Sequence, residues 1–192
     1  MSTPTPLQRI ARLGLILMMG GGMSACSSDQ HWKEEVQLSD GRVIVVERDL
    51  ITESGGDEWA LNRSGSKPKE YRIRFEYPFG SGETIEWHST KLSPQTWPEM
   101  PLVLDVESEQ LVVFSSVMIK GGCQVYSKYI FQRGTWQEES LPPVFEKRAT
   151  NLLVFDGLNG RSFFDLEAKR KNNSDVTLKI FSQVGPKHPY CR

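Results

Sequence analysis

Apolar and charged residues alternate along several stretches of this chain, which is the pattern of β-strands with one buried face. One such stretch is 71–77, where Tyr71, Ile73 and Phe75 are interleaved with charged side chains. Residues 84–88 continue the alternation after a segment rich in glycine and proline. The pattern therefore predicts two neighbouring half-buried strands.

Two later stretches, 102–106 and 111–118, are continuous apolar runs rather than alternating ones. They are separated by Ser108-Glu109-Gln110, and short apolar runs of this length joined by polar residues predict a hairpin. Residues 125–131 predict a further strand, followed by a turn at Arg133-Gly134.

Asp40-Gly41 lies between two alternating apolar stretches, which is typical of a hairpin with a two-residue turn. We expect one continuous apolar face, and an open end that splays because like charges meet there. The register predicted by this turn pairs Leu38 with Val43, Val36 with Val45, Glu34 with Glu47, and Lys33 with Arg48.

The remaining stretches are less regular. Residues 52–69 are polar and predict a long surface loop, and three prolines predict irregular structure over 92–101. Residues 152–155 and 176–181 predict strands, with a turn at 156–160. Ser162 and Asp165 resemble a capping box for a short helix over 163–171, although a strand over 161–166 fits as well.

About nine short β runs separated by turns predict a mainly β fold. The alternatives are an antiparallel sandwich, a barrel-like sheet and an incomplete propeller-like array, with at most one short helix near the C-terminus. Residues 26–192 are enough for one domain with a sizeable core.

The start of the chain has the features of an export signal. Arg9 and Arg12 precede an apolar segment of about ten residues, and a helix of that length covers roughly half of a hydrocarbon core. The segment can engage an export machine but is too short for a permanent span.

Met23-Ser24-Ala25-Cys26 follows this segment and resembles the lipobox of bacterial lipoproteins. The resemblance implies that residues 1–25 are removed, and that Cys26 carries a thioether-linked diacylglycerol and an amide-linked fatty acid. More than one acyl chain gives stable membrane attachment. The alternative is an ordinary signal peptide, with Ala25 as the last residue removed.

The residue after the cysteine is Ser27. An aspartate at this position would favour retention in the inner membrane. By resemblance to enteric lipoproteins, the chain is expected in the outer membrane, on either its periplasmic or its surface face. Residues 26–31 are then a lipidated tether, and 32–192 form a single envelope domain.

Cys123 and Cys191 are the two cysteines left after Cys26. An even pair in an exported chain predicts a disulfide, with two separate buried thiols as the alternative. For the loop that this bond would close, the chain-entropy model gives a stabilisation of the folded state of about 4 kcal/mol.

The charge balance gives no reason to expect a nucleic-acid partner. The chain has 23 basic and 24 acidic residues, and removing 1–25 takes away only Arg9 and Arg12. A weakly acidic mature chain does not attract polyanions. The basic run Lys169-Arg170-Lys171 is interpreted as a solvated helix end or turn.

The sequence contains no recognisable catalytic motif, metal site or cofactor-binding motif. His31, His88 and His188 have no partner at a zinc-binding spacing. Glu34 and Glu35 point to opposite faces of one strand, and turn formation explains Asp156 and Asn159 without calcium. The tryptophans are Trp32, Trp59, Trp87, Trp97 and Trp136. We interpret most of them as core residues, with a ligand-stacking surface as the alternative.

Two groups of residues resemble a set of uncharacterised exported proteobacterial proteins, whose activity is not established. The first group is Trp32, Glu34-Glu35, Asp40-Gly41-Arg42, Ile44 and Arg48. The second is Gly122-Cys123, Tyr126, Tyr129, Phe131, Gly134, Trp136, Leu141-Pro142 and Asn151-Leu152. The resemblance implies that the chain is exported to the cell envelope, and it implies no mechanism.

Three functions follow as hypotheses. The first is a non-enzymatic, lipid-anchored envelope protein whose sheet surface binds a protein or glycan partner. The second is an immunity-type lipoprotein that neutralises a periplasmic toxin. The third is an enzyme that modifies an envelope polymer with a site assembled from dispersed residues.

Overall fold

Two sheets packed face to face contain most of the strands in the computed structural model, which describes residues 29–54, 66–119, 123–142, 145–154 and 160–185. The strands of the first sheet are β1 (Gln30–Gln37), β2 (Val43–Ser54), β3 (Ser66–Glu76), β4 (Thr84–His88) and β10 (Phe163–Phe164). Those of the second are β5 (Met100–Glu107), β6 (Gln110–Ile119), β7 (Cys123–Gln132) and β8 (Thr135–Glu139). The first sheet has the strand order β10-β1-β2-β3-β4, and the second has the order β5-β6-β7-β8.

The first sheet has one face in the core and one face in solvent, so its strands alternate. Tyr71, Ile73 and Phe75 of β3 are buried, while the residues between them are partly exposed. The core between the sheets joins them to Leu104, Leu111 and other residues of the second sheet. The two strands predicted over 71–77 and 84–88 are thus confirmed.

The second sheet is covered on both faces, which explains its continuous apolar runs. Seven consecutive residues of β6 are buried. Val112 and Phe114 lie on the face turned away from the first sheet, where Leu178 and Val184 of the C-terminal segments cover them. The predicted hairpin is confirmed, with its turn at Ser108 and Glu109, both of which have positive φ.

The hairpin at Asp40-Gly41 is present, but its predicted register is wrong by one residue. Its turn closes through the Leu38 N–H, which donates to the Arg42 carbonyl at 2.8 Å, and Gly41 takes a φ of 88°. Three residues rather than two therefore form the loop. Val36 pairs with Ile44 and Glu35 with Val45.

This shift reverses the predicted face of β2, because neighbouring residues of a strand point to opposite faces. Val43 and Val45 are 48% and 51% exposed instead of buried. Lys33 lies opposite Glu47 and forms an ion pair at 2.8 Å, so the expected meeting of like charges does not occur.

Three other predictions need correction. The first sheet extends into the predicted 52–69 loop, since β2 reaches Ser54 and β3 begins at Ser66. Residues 152–154 are buried but form no strand. Val176–Phe181 is a 3-10 helix, η1, in which Leu178 and Phe181 pack on the second sheet without joining a ladder.

Both interpretations of the segment after residue 160 are partly right. Phe163–Phe164 pairs in parallel with β1, and helix α1 (Leu166–Asn173) follows. Asp165 caps the helix by accepting a hydrogen bond from the Ala168 N–H at 2.7 Å. A two-stranded sheet of β9 (Arg148–Ala149) and β11 (Gln183–Val184) completes the fold.

The mainly β sandwich with one short helix near the C-terminus is confirmed, and the described strands do not close into a barrel. No helix within the described ranges has the length and apolar character needed to cross a membrane.

Candidate binding groove at the turn end of the sandwich

Three turns lie together at one end of the sandwich, which we call the turn end: residues 38–42, 77–82 and 108–109. The Ser39 N–H donates to Asp105 Oδ1 at 2.8 Å, which fixes the first turn to β5 of the other sheet. The Tyr77 hydroxyl donates to the Glu109 carbonyl at 3.4 Å. At the opposite end, β1 and β3 begin and β2 and β4 finish.

A groove of about 520 Å³ runs between these three turns. Its lining combines aromatic and aliphatic surface with charged groups and two hydroxyls. The lining residues are Asp40, Arg42, Tyr77, Pro78, Phe79, Val106, Ser108 and Glu109.

The aromatic wall of the groove is held from behind by ring contacts. Tyr77 meets Phe79 edge to face with ring centroids 5.4 Å apart, and it meets Phe131 in the same way at 6.2 Å. Phe131 packs on Trp136, whose indole N–H donates to the Glu86 carbonyl at 2.8 Å. These contacts limit the movement of the wall, which lowers the entropy cost of binding.

Arg42 gives the groove a planar cationic surface. Its guanidinium lies 4.4 Å from the centre of the Phe79 ring, and its Nε donates to Asp40 Oδ2 at 2.8 Å. The hydrogen bond from Arg42 holds the pKa of Asp40 below its ordinary value. Both side chains are more than a third exposed, so they can still meet a ligand.

The sequence does not predict the groove, although one of the three turns that form it is visible in the sequence. Pro78-Phe79-Gly80-Ser81-Gly82 reads as a turn, and Gly80 and Gly82 have positive φ. The sequence pattern does not show that this turn meets the turns of two other hairpins. Contacts between distant turns depend on how the two sheets pack.

The sequence-predicted site residues fall mostly outside the described ranges. Cys26 and Cys191 lie there, as do His188, Trp59, Asp156 and Asn159. Cys123 is the first residue of β7 and is half-buried. The disulfide and the lipid site therefore stay predictions.

The tryptophans divide between core and surface. Trp32 and Trp87 are buried, as expected for core residues. Trp97 is 42% exposed, and Trp136 lies behind the groove wall. His88 lies on the exposed face of β4.

The sequence predicts that His31 belongs to the tether, but the structure places it in β1, where it contacts charged neighbours on the solvent face of the first sheet. Its Nδ1 lies 2.5 Å from Asp49 Oδ1, and Asp49 Oδ2 lies 2.6 Å from a guanidinium nitrogen of Arg74. This pairing is not visible in the sequence, because it depends on the register of three strands. No group of histidine, cysteine and carboxylate side chains suited to a metal ion occurs among the described residues.

A second cluster that the sequence did not reveal lies in the core. Glu34 is fully buried, with an Arg48 guanidinium nitrogen 2.5 Å away and Lys169 Nζ 3.3 Å away. The prediction that Glu34 and Glu35 lie on opposite faces is confirmed. The prediction that Lys169 is solvated is wrong, because its side chain is only 4% exposed.

Comparison of the chain with protein-family models, with curated proteins and with solved structures finds no match. The described part of the chain is a β-sandwich with a groove at its turn end.

Proposed function

We propose that this chain is a non-enzymatic lipoprotein of the outer membrane, anchored through Cys26, that binds a protein or glycan partner in the turn-end groove. No cofactor takes part. The observation that carries the proposal is the position of the groove, at the end of the sandwich opposite the start of β1.

The position of the anchor follows from chain length. Cys26 precedes Asp29 by three residues, and Asp29 Oδ1 accepts from the Thr52 N–H at 2.8 Å where β2 nears its end. Three residues span at most about 10 Å. The eight residues of β1 then cover roughly 26 Å toward the turn end. A groove at that distance faces away from the lipid surface and toward a soluble or polymeric partner.

The chemistry of the groove suits recognition. Aromatic faces such as those of Tyr77 and Phe79 stack on sugar rings or on apolar peptide side chains. Arg42 and Asp40 add planar donors and acceptors for hydroxyls or backbone amides. Arg42 compensates Asp40, and Glu109 leaves the lining with one net negative charge, so the groove favours a polar or weakly cationic ligand over an anionic one.

A disulfide between Cys123 and Cys191 belongs to this proposal. Cys123 begins β7 at the end of the sandwich opposite the groove. A bond there would tie the C-terminal tail to the second sheet without touching the groove.

The proposal is tested by photocrosslinking in cells. A photoreactive residue placed at Glu109, in the groove, should capture a specific envelope partner. The same residue at Val176, which is 80% exposed and lies outside the groove, is the control. Phe79→Ala should reduce capture at position 109, whereas Phe163→Ala, which removes an exposed ring elsewhere, should not.

Equal capture from positions 109 and 176, or full capture by the Phe79→Ala protein, argues against the groove. A captured toxin would favour the immunity function instead. The enzyme hypothesis is tested separately by His31→Ala and His88→Ala. Loss of the cellular phenotype with folding and capture intact would contradict the non-enzymatic proposal.

A further inference from the structure

A loop at the end opposite the groove carries two exposed apolar side chains. This loop, residues 89–98, follows β4, and Leu92 and Trp97 are 60% and 42% exposed. Leu92 forms an isolated bridge with Pro98, which brings the two arms of the loop together. Lys67, at the start of β3, donates to Thr96 Oγ1 at 3.2 Å.

The loop is held in one conformation by hydrogen bonds around Ser93. The Ser93 N–H donates to the Trp97 carbonyl at 2.7 Å, and Ser93 Oγ accepts from the Trp97 N–H at 3.0 Å. Thr96 has a φ of 64°, a conformation that costs a non-glycine residue free energy and persists only where the surroundings enforce it. The hydrogen bonds of Ser93 and the backbone conformation of Thr96 therefore fix the exposed position of Trp97.

Buried Glu99 fixes the base of the loop to the second sheet. Its carboxylate accepts from the Thr90 N–H at 2.9 Å, from Ser115 Oγ at 2.6 Å and from the Tyr129 hydroxyl at 2.8 Å. Burial of the Tyr129 phenol raises its pKa, and the neighbouring Glu99 adds to the effect, so this hydroxyl keeps its proton. A carboxylate with this many donors is a firm attachment point.

The loop lies at the same end of the sandwich as Asp29, three residues after the proposed lipid site at Cys26. β1 begins at this end, with Asp29 just before it, and β4 finishes there. Three strand spacings separate β1 from β4 in the first sheet. Neighbouring strands are about 4.8 Å apart, so the start of the loop lies roughly 15 Å to the side of Asp29. Acyl chains on Cys26 would hold this end against the bilayer.

We infer that the 89–98 loop enters the headgroup region of the bilayer through Trp97 and Leu92 and sets the orientation of the domain. Tryptophan is enriched at membrane interfaces, where its ring contacts acyl chains and its N–H meets polar headgroups. Lys67 beside the loop is already paired with Glu53 at 3.1 Å, so the contact with lipid depends on Trp97 and Leu92. The inference rests on the proposed anchor at Cys26.

The test uses the full exported chain purified from membranes. Intact mass first shows whether Cys26 is acylated. The protein is then reconstituted into vesicles of phosphatidylethanolamine and phosphatidylglycerol, with or without acyl chains brominated near the headgroup. Bromine quenches the fluorescence of tryptophans that enter the lipid.

We expect quenching of the unmodified chain, and loss of most of it in Trp97→Phe. The control is Trp136→Phe, which removes a tryptophan from the turn end and should leave quenching unchanged. Leu92→Glu, a second exposed change in the loop, should also reduce quenching while Trp97 remains.

Acylated protein that is quenched equally with and without Trp97 would overturn the inference and leave the proposed anchor intact. Capture of an envelope protein by a photoreactive residue at Leu92, without quenching, would assign the loop to a protein partner instead. Mature protein without acyl groups would overturn both the anchor and the inference.

Discussion

Glu34 lies in the core, where a carboxylate is costly unless it is paired and hydrogen-bonded. Arg48 and Lys169 supply the opposite charges, and Glu34 Oε2 also accepts from the Leu153 N–H at 2.6 Å. Desolvation lowers the pKa of Lys169, and the charge of Glu34 opposes this effect. The cluster connects β1, β2, α1 and the 151–154 segment through one side chain.

We expect Glu34→Gln to lower the free energy of unfolding by about 3 kcal/mol or more, since two buried cations lose their carboxylate. The control is Glu47→Gln in the same hairpin. Its pair with Lys33 is about half exposed, so the loss should stay below about 1 kcal/mol. Chemical denaturation of both variants measures the difference. Equal losses would contradict the importance of the buried cluster.

Tyr71 should make the fold sensitive to alkaline pH. Burial raises its pKa to about 12, so the folded state keeps the phenol proton while the unfolded state loses it near pH 10. The contribution of the Tyr71 phenol to the free energy of unfolding is fully present below pH 10. It is lost as pH rises to about 12, which lowers the free energy of unfolding by roughly 2–3 kcal/mol.

This pH dependence is measured by denaturation of the unmodified chain and of Tyr71→Phe between pH 9 and pH 12. We expect a smaller decline in the variant, with a remainder from Tyr129, whose pKa burial also raises. The same slope in both proteins would show that Tyr71 does not contribute.

At the scale of elements, helix α1 has only eight residues and depends on its attachments. Isolated helices of this length are unstable in water. Glu35 Oε2 accepts from the Leu166 N–H at 3.1 Å, and Lys169 Nζ donates to the Glu35 carbonyl, so β1 holds both the start and the middle of the helix. Asp165 adds the N-terminal cap.

Removing this cap with Asp165→Ala should cost about 1 kcal/mol, because the Ala168 N–H loses its partner. Amide exchange should speed up within Leu166–Asn173. Asp175→Ala is the control, since Asp175 caps η1 through the Thr177 N–H at 2.8 Å. That change should affect Val176–Phe181 instead. Faster exchange of both segments in both variants would mean that they unfold together.

At the scale of the whole molecule, the C-terminal segments cover the outer face of the second sheet. Leu178 of η1 and Val184 of β11 pack there on Val112 and Phe114. The proposed disulfide would hold the tail that follows these segments, and the stabilisation would come from restricting the unfolded chain.

The exported chain should therefore show no free thiol until it is reduced, since Cys26 is expected to be acylated. Reduction should lower the melting temperature by several degrees, because 1 kcal/mol shifts a domain of this size by roughly 2–4 °C. A double variant, Cys123→Ala with Cys191→Ala, should not respond to the reductant. Two titratable thiols before reduction would rule out the bond.

The sequence by itself determined the local features of the fold. Alternation over 71–77 and 84–88 specified half-buried strands, and continuous apolar runs specified the strands of the second sheet. The Ser108-Glu109 and Arg133-Gly134 turns followed from the short polar breaks between these runs. Such features depend on neighbouring residues, whose spacing fixes which side chains share a face.

Only the tertiary structure decided the register at Asp40-Gly41, the 3-10 helix at Val176–Phe181 and the burial of Glu34. A three-residue loop and a two-residue loop fit the same local pattern, and the buried face of the first sheet selects between them. The apolar residues of η1 could enter a ladder or cover one. Glu34 is stable in the core only because Arg48 and Lys169, distant along the chain, are brought to it. The groove has the same origin, since three turns from two sheets meet there through packing that no single stretch of sequence specifies.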